Sequence, residues 1–136
     1  MIELALKSRT MEIQPQPLTI LVVEDEPLIA LDIEDALTTL GVTVRLARSI
    51  AEARRGLAAV PAPQLVLLDV VLPDGRSFDL AREILDMGIP LVFLTGYDHG
   101  IPEALNAVTV VDKPFSTETL IAVVGRFSVP DRTKTG

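Results

Sequence analysis

Five short apolar runs, alternating with stretches of helical periodicity, constrain this chain more than any other feature. "LTILVV" (18–23), "QLVLLD" (64–69) and "PLVFLT" (90–95) are continuous and rich in β-branched and leucine side chains, the pattern of a strand covered on both faces. "VTVVD" (108–112) reads as a fourth such buried strand, and "VTVRLA" (42–47) as a further strand. Between them lie helix-like segments. "PLIALDIEDALTTLG" has Pro27 at a first helical position, Gly41 at its end, and Ile29, Ile33, Leu37 and Leu40 on one face. "SIAEARRGLAAV" opens with a capping box, Ser49 and Glu52. "RSFDLAREILDMG" ends at Gly88, and "STETLIAVVGRF" begins with a looser box at Ser116 and Glu118. Strands alternating with helices imply a parallel sheet with helices on both faces. The weak link is "DHGIPEALNA" (98–107), too short and too broken by Gly100 and Pro102 for a regular helix.

A single domain over 18–128 accounts for all of these elements. Residues 1–17 end in "QPQP", which neither helix nor central strand tolerates, and are expected to form a flexible extension. Residues 129–136 are polar and expected to form a flexible tail. No apolar run approaches the roughly 18–20 residues that span a bilayer, and no signal peptide is evident. The chain has no cysteine, which excludes disulfides, thiolate nucleophiles and cysteine metal sites. A cytoplasmic protein with no membrane association is expected.

Charge narrows the function classes. From Leu18 to Ser128 there are 16 acidic and 8 basic residues, and Lys113 is the only lysine among them. That balance argues against non-specific nucleic-acid binding, which needs clustered cations. It suits a basic partner surface or a bound cation.

In an open parallel sheet, ligands bind at the carboxyl ends of the strands. Those ends here carry Glu24, Asp25 and Glu26, then Asp69, Thr95, and Asp112 with Lys113. Each has an ordinary reading. Acidic residues before a helix commonly act as caps and dipole partners. Asp69 before "VVLPDG" opens a turn, Thr95 ends a strand, and Lys113-Pro114 forms a solvated turn. Their joint occurrence at the ends of the right strands points to chemistry. Clustered carboxylates call for a neutralising cation, and an all-oxygen set suits Mg²⁺. A carboxylate beside Mg²⁺ and a lysine can accept a phosphoryl group covalently. His99 is read as an inert loop residue.

The segments "ILVVEDEP", "LVLLDVVLPDG", "LVFLTG" and "DKPF", in this order and spacing, resemble the receiver domains of two-component response regulators. The resemblance covers residues 18–128 and implies a flavodoxin-like, three-layer α/β/α fold with a five-stranded parallel sheet of order 2-1-3-4-5. It implies that Asp69 is the phosphoacceptor, with Mg²⁺ held by Asp25 directly, by Glu24 mostly through water, by Asp69, and by the backbone carbonyl of Val71. Thr95 matches the hydroxyl that bonds the phosphoryl group and Lys113 the lysine that pairs with a phosphoryl oxygen. The Lys113–Pro114 peptide is implied to be cis.

Two departures from the family pattern concern the switch residues Thr95, Gly96, Tyr97 and Val110. Many receivers carry Phe or Tyr three positions before the lysine; here that position is Val110. The segment "FLTGYD" is similar to a subgroup of single-domain receivers with the motif Phe-Ala-Thr-Gly-hydrophobic-Tyr. Phe93, Thr95, Gly96 and Tyr97 match it, while Leu94 and Asp98 do not. Tyr97 is therefore the candidate for the moving aromatic.

The resemblance implies a stand-alone signalling receiver rather than an enzyme, phosphorylated by a sensor histidine kinase or phosphotransfer protein. Output is expected through an unknown downstream protein, a phosphorelay histidine or a phosphate-sink role, with the chain a monomer or weak dimer. Alternatives are the receiver fragment of a larger regulator and an aspartate-nucleophile phosphatase, which usually places a second aspartate where this chain has Val71. A flavin module is disfavoured by the acidic loop after the first strand. A pseudo-receiver is disfavoured by the intact site set.

Overall fold

A computed structural model describes residues 18–96 and 100–128. The five long strands are β1 (Thr19–Val23), β2 (Thr43–Ala47), β3 (Leu65–Asp69), β6 (Leu91–Thr95) and β7 (Thr109–Asp112). They form one sheet of spatial order β2-β1-β3-β6-β7, parallel throughout. Counting those five alone, the order is 2-1-3-4-5, the flavodoxin-like arrangement expected. A two-stranded hairpin, β4 (Val71–Leu72) with β5 (Gly75–Arg76), stands apart from the sheet. It was not anticipated, although Pro73-Asp74-Gly75 is a recognisable turn sequence.

The described residues include four α-helices: α1 (Pro27–Thr38), α2 (Ile50–Ala58), α3 (Phe78–Asp86) and α4 (Thr117–Ser128). Among the described residues of the broken 98–107 segment, the regular structure is a 3₁₀ turn at Glu103–Leu105, within which Leu105 is buried. The two faces of the sheet bury separate cores. One contains Leu21, Val66, Leu68 and Phe93 packed against residues of α2 and α3. The other contains Ile20, Leu65, Leu67 and Val92 packed against residues of α1 and α4. Because side chains alternate along a strand, each continuous apolar run supplies both cores at once. Phe93 also meets Phe78 edge-to-face, with ring centroids 6.1 Å apart.

Local chemistry explains the boundaries. Pro27 occupies the first turn of α1, and Gly41 and Gly88 adopt positive φ just beyond α1 and α3, where glycine avoids a Cβ penalty. Ser49 caps α2 by accepting the Glu52 N–H at 3.1 Å. Glu52 reaches back to the N–H of Arg48, not to that of Ser49, so the box closes one residue early. At α4, Ser116 accepts the Thr119 N–H, making Thr119, not Glu118, the partner of that cap.

Two expectations are corrected. The strand at 108–112 is not a fourth buried strand: β7 lies at the sheet edge and Val110 is 40% exposed. Leu40 does not join the buried stripe of α1, because the helix ends at Thr38 and leaves it 42% exposed. The readings of 1–17 and 129–136 as flexible, and those of Tyr97, Asp98 and His99, fall outside the described residues.

Candidate functional site

Strand order and register assemble the site. β1, β3, β6 and β7 are parallel and their carboxyl ends share one rim. Glu24 and Asp25 follow β1, Asp69 ends β3, Thr95 ends β6, and Lys113 follows β7. Glu24, Asp25 and Asp69 each offer a carboxylate oxygen, all within 4.8 Å of one another. Glu24 and Asp69 are buried and Asp25 is half-buried. Glu26 and Asp112 are exposed and stand outside this cluster.

Lys113 closes the ring from the opposite side. Its Nζ lies 2.6 Å from Glu24 Oε1 and donates a 3.0 Å hydrogen bond to Asp69 Oδ2. The Lys113–Pro114 peptide is cis, as the resemblance implied. The Lys113 N–H donates to the Thr95 carbonyl at 2.6 Å, which couples the lysine to the end of β6. Thr95 is buried. It follows Leu94, the register partner of Asp69. Gly96 is exposed, directly beyond it.

Burial shapes the electrostatics. Desolvation raises the pKa of Glu24, and the Asp69 charge adds to this, while Lys113 and the Glu26 N–H oppose it without cancelling it. Burial alone would lower the Lys113 pKa. Its close pairing with the Glu24 and Asp69 carboxylates outweighs that and holds the ammonium above the ordinary lysine value. Glu24 Oε2 accepts the Glu26 N–H at 3.0 Å, so Glu24 organises the turn into α1. Glu24 Oε1, although close to Nζ, has no well-directed hydrogen bond.

These residues fit a hard divalent cation. The donors are all oxygen, they converge, and a buried carboxylate oxygen lacks a directed donor; Mg²⁺ takes one or two such carboxylates together with water.

Sequence reasoning missed the support beneath the rim. Ser77 Oγ donates to the Asp69 carbonyl at 2.7 Å, and the Ser77 N–H donates to the Val70 carbonyl. Asp74, at the hairpin turn, accepts the N–H groups of Ile50 and Ala51 at 2.9 and 3.1 Å. The Ile50 N–H is the main reason its carboxyl stays below the ordinary aspartate range. Nothing in the sequence pairs Asp74 with a helix start 24 residues earlier; only the turn motif signals that it matters.

A family model described as the response regulator receiver domain matches residues 20–125. Over 112 residues the chain is 34% identical to the phyllosphere-induced regulator PhyR of Methylorubrum extorquens, covering 79% of this chain and 42% of PhyR. The chain thus spans less than half of PhyR's length. The non-phosphorylated HemR receiver domain of Leptospira biflexa matches with a TM-score of 0.72 at 31% identity, covering 86% of this chain and 98% of that one. The response regulator TrrA of Thermotoga maritima, solved in complex with Mg²⁺ and BeF, matches with a TM-score of 0.72 at 27% identity, covering 81% and 98%. Sheet order, rim chemistry and a match across most of the chain agree: this protein belongs to the response regulator receiver domain family.

Proposed function

We propose that the protein is a phosphoacceptor that takes a phosphoryl group on Asp69 from a histidine kinase or phosphotransfer protein and signals through protein contact. The observation that carries this reading is the rim itself: three carboxylates within 4.8 Å, with one lysine bonded to Asp69. A TrrA complex with Mg²⁺ and BeF on the same fold supports it.

Asp69 is the nucleophile. Its carboxylate oxygen attacks phosphorus, the P–N bond of a phosphohistidine breaks, and the imidazole nitrogen keeps the electron pair and later gains a proton. Glu24, Asp25, Asp69 and the Val71 carbonyl would hold Mg²⁺, which when bound supplies charge neutralisation at the transferred oxygens. Lys113 stays protonated in its acidic setting and stabilises a phosphoryl oxygen. Thr95 bonds the phosphoryl group through its hydroxyl and passes the change to Gly96 directly beyond it. Val110, at the sheet edge, offers no aromatic to turn inward, and Tyr97, outside the described residues, takes that role from the sequence.

The donor surface lies beside the rim. A groove of about 710 Å³ runs between α1 and α4, with Ile29, Ala36, Phe115 and Leu120 among its lining residues and Asp32 and Asp35 on its α1 side. Leu28 and Leu31 on α1 are 77% and 52% exposed. An apolar surface with acidic flanks suits a phosphodonor protein with apolar and basic side chains.

The test is incubation with acetyl phosphate and Mg²⁺, followed by mass spectrometry, with Asp69→Asn as control. One phosphoryl adduct is expected on the wild type and none on the variant. An unmodified wild type would exclude this function, and turnover of added phosphate esters would favour a phosphatase.

A further inference from the structure

The hairpin that follows Asp69 is held at both ends by contacts outside the carboxylate cluster. At its base, Ser77 bonds the Asp69 carbonyl. At its tip, the Asp74 carboxylate takes the first two N–H groups of α2, while Ser49 takes the third, from Glu52. Three donors that a helix N-terminus leaves free are therefore all engaged, two of them by a residue 24 positions further along the chain. The tip also lies close to the start of α2: a Cβ added at Gly75 would come within 3.7 Å of Ile50 Cδ1. The hairpin has only two paired positions, Val71 with Arg76 and Leu72 with Gly75. A ladder that short does not hold its own shape in water; burial of Leu72 in the core holds its inner side, and these anchors hold its base and tip.

We infer that Asp74 is a positioning residue for the divalent cation: by pinning the hairpin tip to the start of α2, it fixes Val71, whose carbonyl belongs to the cation site proposed above. The inference rests on that reading. Asp74 does not join the carboxylate cluster and touches no reacting atom. It acts through backbone alone, as an outer partner that orients a ligand, and loss of such partners typically weakens metal binding roughly 10–100-fold. The anchor also explains why an acidic residue serves better than a neutral one, because a carboxylate accepts both N–H groups and complements the positive end of α2.

Two variants of the full chain test this. Asp74→Asn keeps the size, loses the charge and offers only one acceptor oxygen. Ile50→Pro removes one donor from the other side of the contact. Proline suits the first helical position, and the preceding Ser49 is already extended, with φ −156° and ψ 169°, as a residue before proline requires. Mg²⁺ is titrated calorimetrically into metal-free protein, and amide exchange of residues 71–76 is followed without metal. Both variants are expected to bind Mg²⁺ more weakly, Asp74→Asn by roughly tenfold, with faster exchange in the hairpin. At saturating Mg²⁺, Asp69 labelling by acetyl phosphate is expected to match the wild type.

A cap that served only the fold would lower the unfolding midpoint and leave the Mg²⁺ dissociation constant of the folded variants unchanged; that result overturns the inference and leaves the cation site standing. Wild-type protein that binds no Mg²⁺, or binds it equally well as Asp25→Asn, overturns both.

Discussion

Lys113 Nζ donates to Asp69 Oδ2 at 3.0 Å, reaching from the end of β7 across β6 to the end of β3. The same ammonium lies 2.6 Å from Glu24, so one cation neutralises two carboxylates from different strands. Removing it leaves both acids buried without compensation, and breaking a buried pair this way costs roughly 3–5 kcal/mol. The lysine side chain keeps 15% of its exposure, which softens the cost. Lys113→Met is expected to destabilise the metal-free protein by about 2–3 kcal/mol, with Mg²⁺ restoring part of it through binding to the folded state. Urea unfolding with and without Mg²⁺ measures both effects.

Glu24 gives the site a pH dependence. A carboxyl whose folded pKa is raised holds its proton more tightly in the folded than in the unfolded state, so stability falls as pH rises between the two values. For Glu24 the window opens at the ordinary value of 4.5 and extends upward to the raised one. Metal-free Glu24→Gln should therefore gain stability relative to wild type as pH climbs through that window. Urea denaturation series from pH 4.5 to 8 would show a constant difference if the shift were absent.

Leu31, one of the exposed leucines on α1, offers a way to separate the proposed donor docking from chemistry. Leu31 is 52% exposed and absent from both buried cores, so Leu31→Asp should leave the fold intact. Placing a charge in a desolvated contact costs binding more than 1 kcal/mol, or about fivefold or more in transfer efficiency. Phosphotransfer from a cognate protein donor should fall by that factor while labelling by acetyl phosphate stays unchanged. Equal loss with both donors would place Leu31 in the fold or the site instead.

Thr95→Val keeps volume and removes the hydroxyl. Phosphorylation of Asp69 should proceed, since nucleophile, carboxylates and lysine remain. The amide shifts that phosphorylation produces around Gly96 should shrink, and affinity for a partner selective for the phosphorylated form should drop. Unaltered shifts in ¹H–¹⁵N spectra would remove Thr95 from the switch.

Much of this architecture is legible without coordinates. The runs at 18–23, 64–69 and 90–95 become strands whose ordered residues 19–23, 65–69 and 91–95 are buried throughout, because a strand covered on both faces has no polar alternation to blur its signal. The run at 108–112 misleads for the same reason: "VTVVD" is as apolar as a central strand, yet its place at the edge depends on sheet order, which composition does not encode. Glu24, Asp25, Asp69 and Lys113 were recognisable as strand-end polar residues, and parallel strands necessarily bring such ends to one rim.

What the sequence determined by itself is the set of parallel strands, the rim on which their polar ends meet, and the family to which that pattern belongs. These follow from short-range periodicity and from residue type at strand ends. Tertiary packing settled that Lys113 bridges Glu24 and Asp69 and that Asp74 caps a helix 24 residues earlier in the chain. Each of those is a contact of about 3 Å between side chains or backbone groups remote in sequence. Such contacts depend on register and rotamer, which are set when the two cores pack and not by any local preference of the chain.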